Sequence, residues 1–309
     1  MISSIGKTTN AIKKVLITGA NGQLGFELQR TVPVGYTCVA TDRNDLDITD
    51  ASAIKSFIEK IKPDVIINSA AYTAVDKAEE EPALAKAINT TGAANLAQAC
   101  KDASSQGQHI QFMQISTDFV FDGKGYTPYP VDALAEPEGM YGITKHKGDL
   151  LVQQILGEEA FIIRTSWLYS SHGNNFVKTM LRFMAEREEL GIIADQIGTP
   201  TWANSLANAV WQGVEKNITG IHHWSDAGVA SWYDFAYAIM EEGVTLGLLD
   251  NTIRIKPITT TDYPTPASRP CYSVMDKTST WQALDFKSEH WRVALRQMLI
   301  ELKENEENA

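Results

Sequence analysis

Val15-Leu16-Ile17-Thr18-Gly19-Ala20-Asn21-Gly22-Gln23-Leu24-Gly25 is the stretch that decides the fold. An apolar run ends in glycines at 19, 22 and 25 and opens into a segment of helical periodicity over residues 23–31. A backbone that leaves a strand, turns sharply and enters a helix beside a pyrophosphate needs residues without a Cβ. The helix N-terminus adds amide donors and partial positive charge. The spacing is G-x-x-G-x-x-G, not the commoner G-x-G-x-x-G. Gly19, Gly22, Gln23, Leu24 and Gly25 are therefore expected to hold a dinucleotide.

Outward from that turn, short apolar strands alternate with helical patterns. Strands are expected over residues 14–18, 37–41, 65–68, 110–115 and 160–165, and helices over 51–61 and 80–103. Such alternation specifies a parallel sheet with right-handed crossovers, a Rossmann-type doubly wound α/β fold. The pattern changes near Trp167. Helices are expected over 174–189, 205–215, 231–242 and 289–302, a turn at 198–201, and a strand at 220–224 that returns with helix 205–215 to the main sheet. Residues 13–168 with 204–225 thus form a dinucleotide-binding domain. Residues 169–203 with 226–309 form a smaller α/β substrate-binding domain. Residues 1–12 read as a flexible extension, and the charged tail from 303 as frayed.

The composition narrows the function. A net charge of −11 over 309 residues argues against nucleic acid as a partner. No apolar run approaches the roughly 18 residues needed to span a bilayer, so no membrane partner is expected. Three scattered cysteines, Cys38, Cys100 and Cys271, suggest reduced thiols and a cytoplasmic location. His222 and His223 are adjacent on a strand and point to opposite faces, which is poor metal geometry. No zinc spacing is present, and no metal site is assigned. The acidic run Glu79-Glu80-Glu81 reads as solvated surface.

Asp42 ends the second strand at the distance expected for a carboxylate on the adenosine ribose, and Arg43 beside it suits a 2′-phosphate, so NADH and NADPH both remain open. Asp47 and Ile48 follow, against the adenine. Ala70 and Ala71 allow close approach after the third strand, where Tyr72 and Thr73 also lie. The fourth strand delivers Ser116-Thr117-Asp118 to the same edge. Tyr141 and Lys145 head a helical run at i and i+4, on one face. A tyrosine titrates near about 10, and an ammonium held close would lower that value and ready the phenol as a proton donor. Arg269 sits in Pro266-Ala267-Ser268-Arg269-Pro270, stiffened by prolines. Its planar guanidinium suits either a substrate phosphate or a neighbouring carboxylate.

These motifs, in this order, resemble the extended short-chain dehydrogenase/reductase superfamily, and within it the dTDP-4-dehydrorhamnose reductase family. The likeness is carried by Asn68-Ser69-Ala70-Ala71-Tyr72-Thr73-Ala74-Val75-Asp76-Lys77-Ala78-Glu79, Ile115-Ser116-Thr117-Asp118-Phe119-Val120-Phe121, Arg164-Thr165-Ser166-Trp167-Leu168-Tyr169 and Gly173-Asn174-Asn175-Phe176-Val177-Lys178-Thr179-Met180. The resemblance implies NADH- or NADPH-dependent reduction of the 4-keto group of dTDP-4-dehydro-L-rhamnose, for polysaccharide biosynthesis. It implies Tyr141 as proton donor, Lys145 as its electrostatic partner, Thr117 as the tuning hydroxyl, and Asp118, Trp167 and Asn175 as sugar-nucleotide contacts. Some relatives bind magnesium between subunits through three glutamates. Glu27 matches the first, but the other two positions hold Asn204 and Arg292, and an arginine cannot coordinate a cation. The expectation is a monomer or weak homodimer without magnesium.

Two other readings compete. A nucleotide-sugar dehydratase or epimerase shares the fold and the Tyr-Lys pair, but dehydratases place an Asp-Glu pair after the threonine, and here Phe119 follows Asp118. A non-catalytic regulatory subunit with this fold would not need Tyr141, Lys145 and Thr117, all of which are present.

Overall fold

The computed structural model describes residues 12–307; the extension expected over residues 1–12 lies, apart from Ile12, outside them. Strand β1 (Lys13–Thr18) enters helix α1 (Gln23–Arg30), followed by β2 (Tyr36–Thr41), α2 (Ala51–Ile61) and β3 (Val65–Asn68). Asp50 caps α2 by accepting from the amides of Ser52 and Ala53. The long helix expected over 80–103 is instead α3 (Val75–Glu80), α4 (Pro82–Lys86), a π-turn (Ala87–Gly92) and α5 (Ala93–Ser105). Pro82 has no N–H to continue α3, so the chain breaks at Glu81 and restarts with proline in the first turn. Then come β4 (Gln111–Thr117), a 3-10 turn (Asp118–Val120), α6 (Met140–Leu156) and β5 (Phe161–Thr165).

The sheet order is β10-β5-β4-β3-β1-β2, where β10 is Gly220–His223, and every pairing in it is parallel. The chain runs from β1 outward to β2 and then crosses to β3 on the other side. The switch point therefore lies between β1 and β3, where parallel sheets bind their ligands. Successive residues face opposite sides. Val15, Ile17, Val65, Ile67, Met113, Phe161 and Ile163 pack toward α1 and α8, while Leu16, Ile66, Phe112 and Ile162 pack toward α2, α5 and α6; here α8 is Ala203–Glu215. Burial on both faces, at about 1.5–3 kcal/mol per large apolar side chain, is why these strands read as unbroken apolar runs.

Beyond β5 the chain builds a second core. Strands β6 (Leu168–Tyr169) and β9 (Thr201–Trp202) pair in parallel, as do β7 (Glu189–Ile193) and β12 (Arg254–Ile258). Strand β8 (Ile197–Gly198) pairs antiparallel with β11 (Ala230–Ser231), so the turn expected at 198–201 is a link between two short strands. Helices α7 (Phe176–Glu186), α9 (Trp232–Leu246) and α11 (Trp291–Glu307) enclose Val177, Met180, Phe235, Ile239, Leu295 and Met298. Helix α10 (Thr278–Leu284) lies against α8. The tail is not frayed through residue 307. Lys303 donates to the Leu246 carbonyl at 2.9 Å and pairs with Glu307, one turn on, which keeps α11 wound. The proline-rich segment 263–270 is irregular, as its composition requires.

Candidate active site

The C-terminal ends of β1, β3, β4 and β5 open into one cleft of about 900 Å³. Its first wall is the glycine turn. Gly19 has φ +71°, and a Cβ there would lie 2.7 Å from the Ala70 backbone; a Cβ on Gly25 would lie 2.2 Å from the Gly19 carbonyl. These two glycines let strand, turn and helix close on one another. Gly22 differs, since a Cβ there meets only the Gly19 carbonyl at 3.3 Å and otherwise faces open space. Gly22 is the N-cap of α1 and supplies no side-chain cap, and the first turn of α1 holds no acid. The Gly22 amide closes the turn by donating to the Gly19 carbonyl at 3.0 Å, which leaves the amides of the first turn of α1 to meet an anion, as a pyrophosphate-bearing dinucleotide requires. Below the turn, Thr18 donates to Asn68 at 2.7 Å and Asn68 to Gln114 at 2.8 Å, a buried polar rung across β1, β3 and β4.

Asp42, Arg43, Asp47 and Ile48 line the far end of this wall. The Asp42 carboxylate accepts from the Asn21 amide at 2.6 Å and the Asn44 amide at 2.7 Å, which fixes its direction. Arg43 is exposed and loosely paired with Asp47 at 3.8 Å. The backbone and side chain of Thr49 hold the Asp47 carboxyl below the usual range. Ala70, Ala71 and Thr73 line the cleft, but Tyr72 does not. Its hydroxyl donates to Glu81 at 2.6 Å and its amide to Asn89 at 2.8 Å, turning the ring away. Two acids of the run 79–81 are likewise engaged, because Glu79 accepts from the Met140 amide at 2.7 Å and so caps α6 across the chain.

Helix α6 forms the floor. Gly142 presses on the Phe119 carbonyl and Gly148 on the Asn89 carbonyl, each leaving only 2.2 Å for a Cβ. That close seating brings Tyr141 and Lys145 to the end of β4. The Tyr141 ring meets Phe119 edge-on at 5.5 Å. Burial pushes its phenol up to about 12, with a Thr117 hydrogen bond pulling the other way and Asp118 and Asp149 adding to the rise. Lys145 does not offset this rise, and its ammonium donates to the Ile115 carbonyl at 2.6 Å. Burial lowers the lysine, opposed by Asp149. A phenol held protonated is the form a proton donor needs. Thr117 donates to Asp118 at 3.1 Å. Asp118 is buried, and that burial lifts its carboxyl to about 6 against hydrogen bonds from Ser273 and Thr117.

The opposite wall is made of side chains. Trp167 lies in the left-handed region at φ +45° and stacks on Trp232 with centroids 3.6 Å apart and planes 8° apart. Gly198 makes room for that indole, since a Cβ there would reach it at 2.6 Å. Trp232, Phe176 and Phe235 complete the wall; nothing local in the sequence marks them, because the second core assembles them. Asn175 caps α7 by accepting from the Lys178 amide and donates to Gln23 at 2.9 Å, tying this wall to the glycine turn. Arg269 lines the cleft, and its guanidinium forks onto Asp76 at 2.9 and 2.7 Å. Of the sequence-assigned residues, all but Tyr72 therefore meet in one cleft.

The position matched to a magnesium-binding glutamate is occupied differently. Glu27 is buried and accepts from Ser170 at 2.8 Å and Asn204 at 3.1 Å, while Arg292 pairs with Glu241 at 2.6 Å. One carboxylate already satisfied by two donors does not fit a divalent cation. Among the described residues no helix is long and apolar enough to cross a membrane.

A family model described as the RmlD substrate binding domain matches residues 13–304. The dTDP-4-dehydrorhamnose reductase of Aggregatibacter actinomycetemcomitans is 41% identical over 291 residues, covering 92% of this chain and 97% of that protein. Two solved structures superpose closely. The dTDP-4-dehydrorhamnose reductase of Clostridium acetobutylicum has a TM-score of 0.87 at 39% identity, and that of Bacillus anthracis, in complex with NADP, has 0.86 at 36%. Each comparison covers 94% of this chain and 99% of the other.

Proposed function

The chain belongs to the dTDP-4-dehydrorhamnose reductase family, and on that premise we propose that it reduces the 4-keto group of dTDP-4-dehydro-L-rhamnose to dTDP-L-rhamnose with NADPH or NADH. When the dinucleotide is bound, its nicotinamide supplies the hydride. The α1 amides at Gln23 and Leu24, just past the Gly22 cap, would hold the pyrophosphate, and Asp42 with Arg43 would take the adenosine ribose. Thr117 orients the ketone oxygen. Tyr141 gives its phenolic proton to that oxygen as negative charge develops on it, and solvent restores the proton afterwards. Lys145 then stabilises the phenolate left behind. The Trp167–Trp232 stack supplies a flat apolar surface for the sugar nucleotide and excludes water from the reacting carbon.

The observation that carries this reading is the meeting of Tyr141, Lys145 and Thr117 in the same cleft that the glycine turn opens into. Phe119 after Asp118 removes the second acid that elimination chemistry would need, which favours a reductase over a dehydratase. We assign the cofactor wall to a domain of residues 13–168 with 204–225 and, apart from Trp167, the facing wall to a domain of residues 169–203 with 226–309. Three unpaired thiols suit a reducing compartment, the cytoplasm. The internal satisfaction of Glu27 supports a monomer or weak homodimer that works without magnesium.

The test is turnover by the purified chain with dTDP-4-dehydro-L-rhamnose and either NADPH or NADH. The expected result is one reduced cofactor consumed for each dTDP-L-rhamnose formed, unaffected by a chelator. Isomerisation or loss of water from the sugar without net cofactor oxidation would overturn the reading.

A further inference from the structure

Beneath Tyr141 and Lys145 lies a buried set of charges with no part in the chemistry described above. Asp149 follows Lys145 by one helical turn, as Lys145 follows Tyr141, so the three share one stripe of α6. Its carboxylate is 1% exposed and Lys145 is 3% exposed. Oδ2 accepts a hydrogen bond from the Ser116 hydroxyl at the end of β4. Oδ1 has no hydrogen-bond partner among the described residues. Arg164 of β5 is also buried, and its charge acts on Asp149. An ammonium taken out of water gives up its proton unless a counter-charge stands near. Lys145 makes its one recorded hydrogen bond to a neutral carbonyl, so the counter-charge has to come from elsewhere.

We propose that Asp149, held by Ser116, is the positioning residue of this site: it keeps Lys145 charged and on the α6 stripe, ready for Tyr141 when the phenol gives up its proton. The inference rests on the reductase reading of the cleft. Asp149 does not line the cleft and acts through Lys145. The charged and titratable groups around it are Lys145 and His146 on its own helix, Arg164 on β5 and, through Arg164, His223 on β10. The π-turn against α6 brings neutral Asn89 and Thr90, and Glu79 of α3 serves the helix N-terminus. Lys86, Lys101, Asp102, Glu158 and Glu159 on the other elements packed against α6 are exposed, and Asp118 acts on Tyr141. Burial lifts the Asp149 carboxyl to about 6, against Lys145, Ser116 and Arg164. Burial lowers Lys145, and Asp149 opposes that. Removing the charge of Asp149 therefore lowers the lysine further, whereas removing the Ser116 hydrogen bond raises Asp149.

The experiment is the pH profile of kcat and KM for wild type, Asp149→Asn, Asp149→Glu and Ser116→Ala, with melting curves for each. Asparagine keeps the shape and loses the charge. It should lower kcat about tenfold or more and move the alkaline limb down by about one pH unit, with KM nearly unchanged. Glutamate keeps the charge and should keep the wild-type alkaline limb. Ser116→Ala should move the acid limb upward. A wild-type profile in Asp149→Asn, or equal damage from Asn and Glu, overturns the proposal in favour of simple packing. If Asp149→Asn does not fold, an unmoved acid limb in Ser116→Ala overturns it. A wild type with no turnover sinks the reductase reading itself, an outcome distinct from a working wild type matched by Asp149→Asn.

Discussion

The two walls of the cleft are built by opposite means. The cofactor wall is backbone: a turn whose glycines leave no room for a Cβ and whose free amides open a helix. The facing wall is side chains: two stacked indoles, a phenylalanine pair and an arginine already forked onto a carboxylate. One wall is damaged by adding an atom, the other by removing one. Between them, α6 contributes the reacting groups, seated by glycines below and aimed by side chains above.

The largest effect is expected from removing one atom. Tyr141→Phe keeps the ring against Phe119 and should lower kcat by at least ~100-fold, while NADPH affinity and melting temperature stay near wild type. Turnover like wild type would remove Tyr141 from the chemistry. Next comes adding one atom to the other wall. Gly19→Ala puts a methyl 2.7 Å from the Ala70 backbone at a positive φ. It should cost about 1–3 kcal/mol of stability and weaken NADPH binding about tenfold or more. An alanine variant that binds NADPH normally would mean the turn is looser than its geometry.

Smaller effects separate the roles of one residue on the side-chain wall. Arg269→Ala should raise KM for the sugar nucleotide about tenfold, or about 1.4 kcal/mol, with NADPH affinity unchanged. Asp76→Asn releases the guanidinium and should leave that KM unchanged or lower. If both variants melt early at unaltered KM, Arg269 is a pin for the proline-rich loop and not a phosphate contact. The smallest effect is a pH dependence. Burial raises the Asp226 carboxyl to about 7, and its Oδ2 accepts from the Trp202 amide at 2.9 Å. A folded value above the unfolded one, about 3.9, means the folded state binds more protons between the two. The contribution of Asp226 to stability is thus fully present below about pH 4 and is lost as pH rises toward 7. Asp226→Asn should flatten the slope of stability against pH over that window, a slope that one group sets at no more than about 1.4 kcal/mol per pH unit, measured by denaturant melts. An unchanged slope would assign the window to Asp118 or Asp149 instead.

The same contrast explains what the sequence made legible. The parallel sheet, the glycine turn, Asp42 and the Tyr141–Lys145 pair follow from local patterns, because strand burial, turn geometry and i,i+4 spacing are set by neighbours in the chain. Trp232 and Phe235 are invisible at that level, since their place depends on how α9 docks. Tyr72 stays outside the cleft lining because a strand-end position fixes the backbone but not where the ring goes; Glu81 decides that. The break at Pro82 is legible in the sequence, as is Asp149, which repeats the four-residue spacing of the pair above it. The raised phenol of Tyr141 is not legible, because spacing shows that Lys145 is near but not how deeply the ring is buried.

The central claim is that hydride and proton are delivered to one carbonyl in this cleft, and isotope transfer tests it most directly. NADPH deuterated at the transferable position of the nicotinamide is incubated with the purified chain and dTDP-4-dehydro-L-rhamnose, and the product sugar is analysed by mass spectrometry and NMR. The account predicts one deuterium, bound to C4 of dTDP-L-rhamnose, with its hydroxyl proton drawn from solvent. Deuterium at another carbon, or a changed sugar carrying none while the NADPH keeps its label, would contradict it.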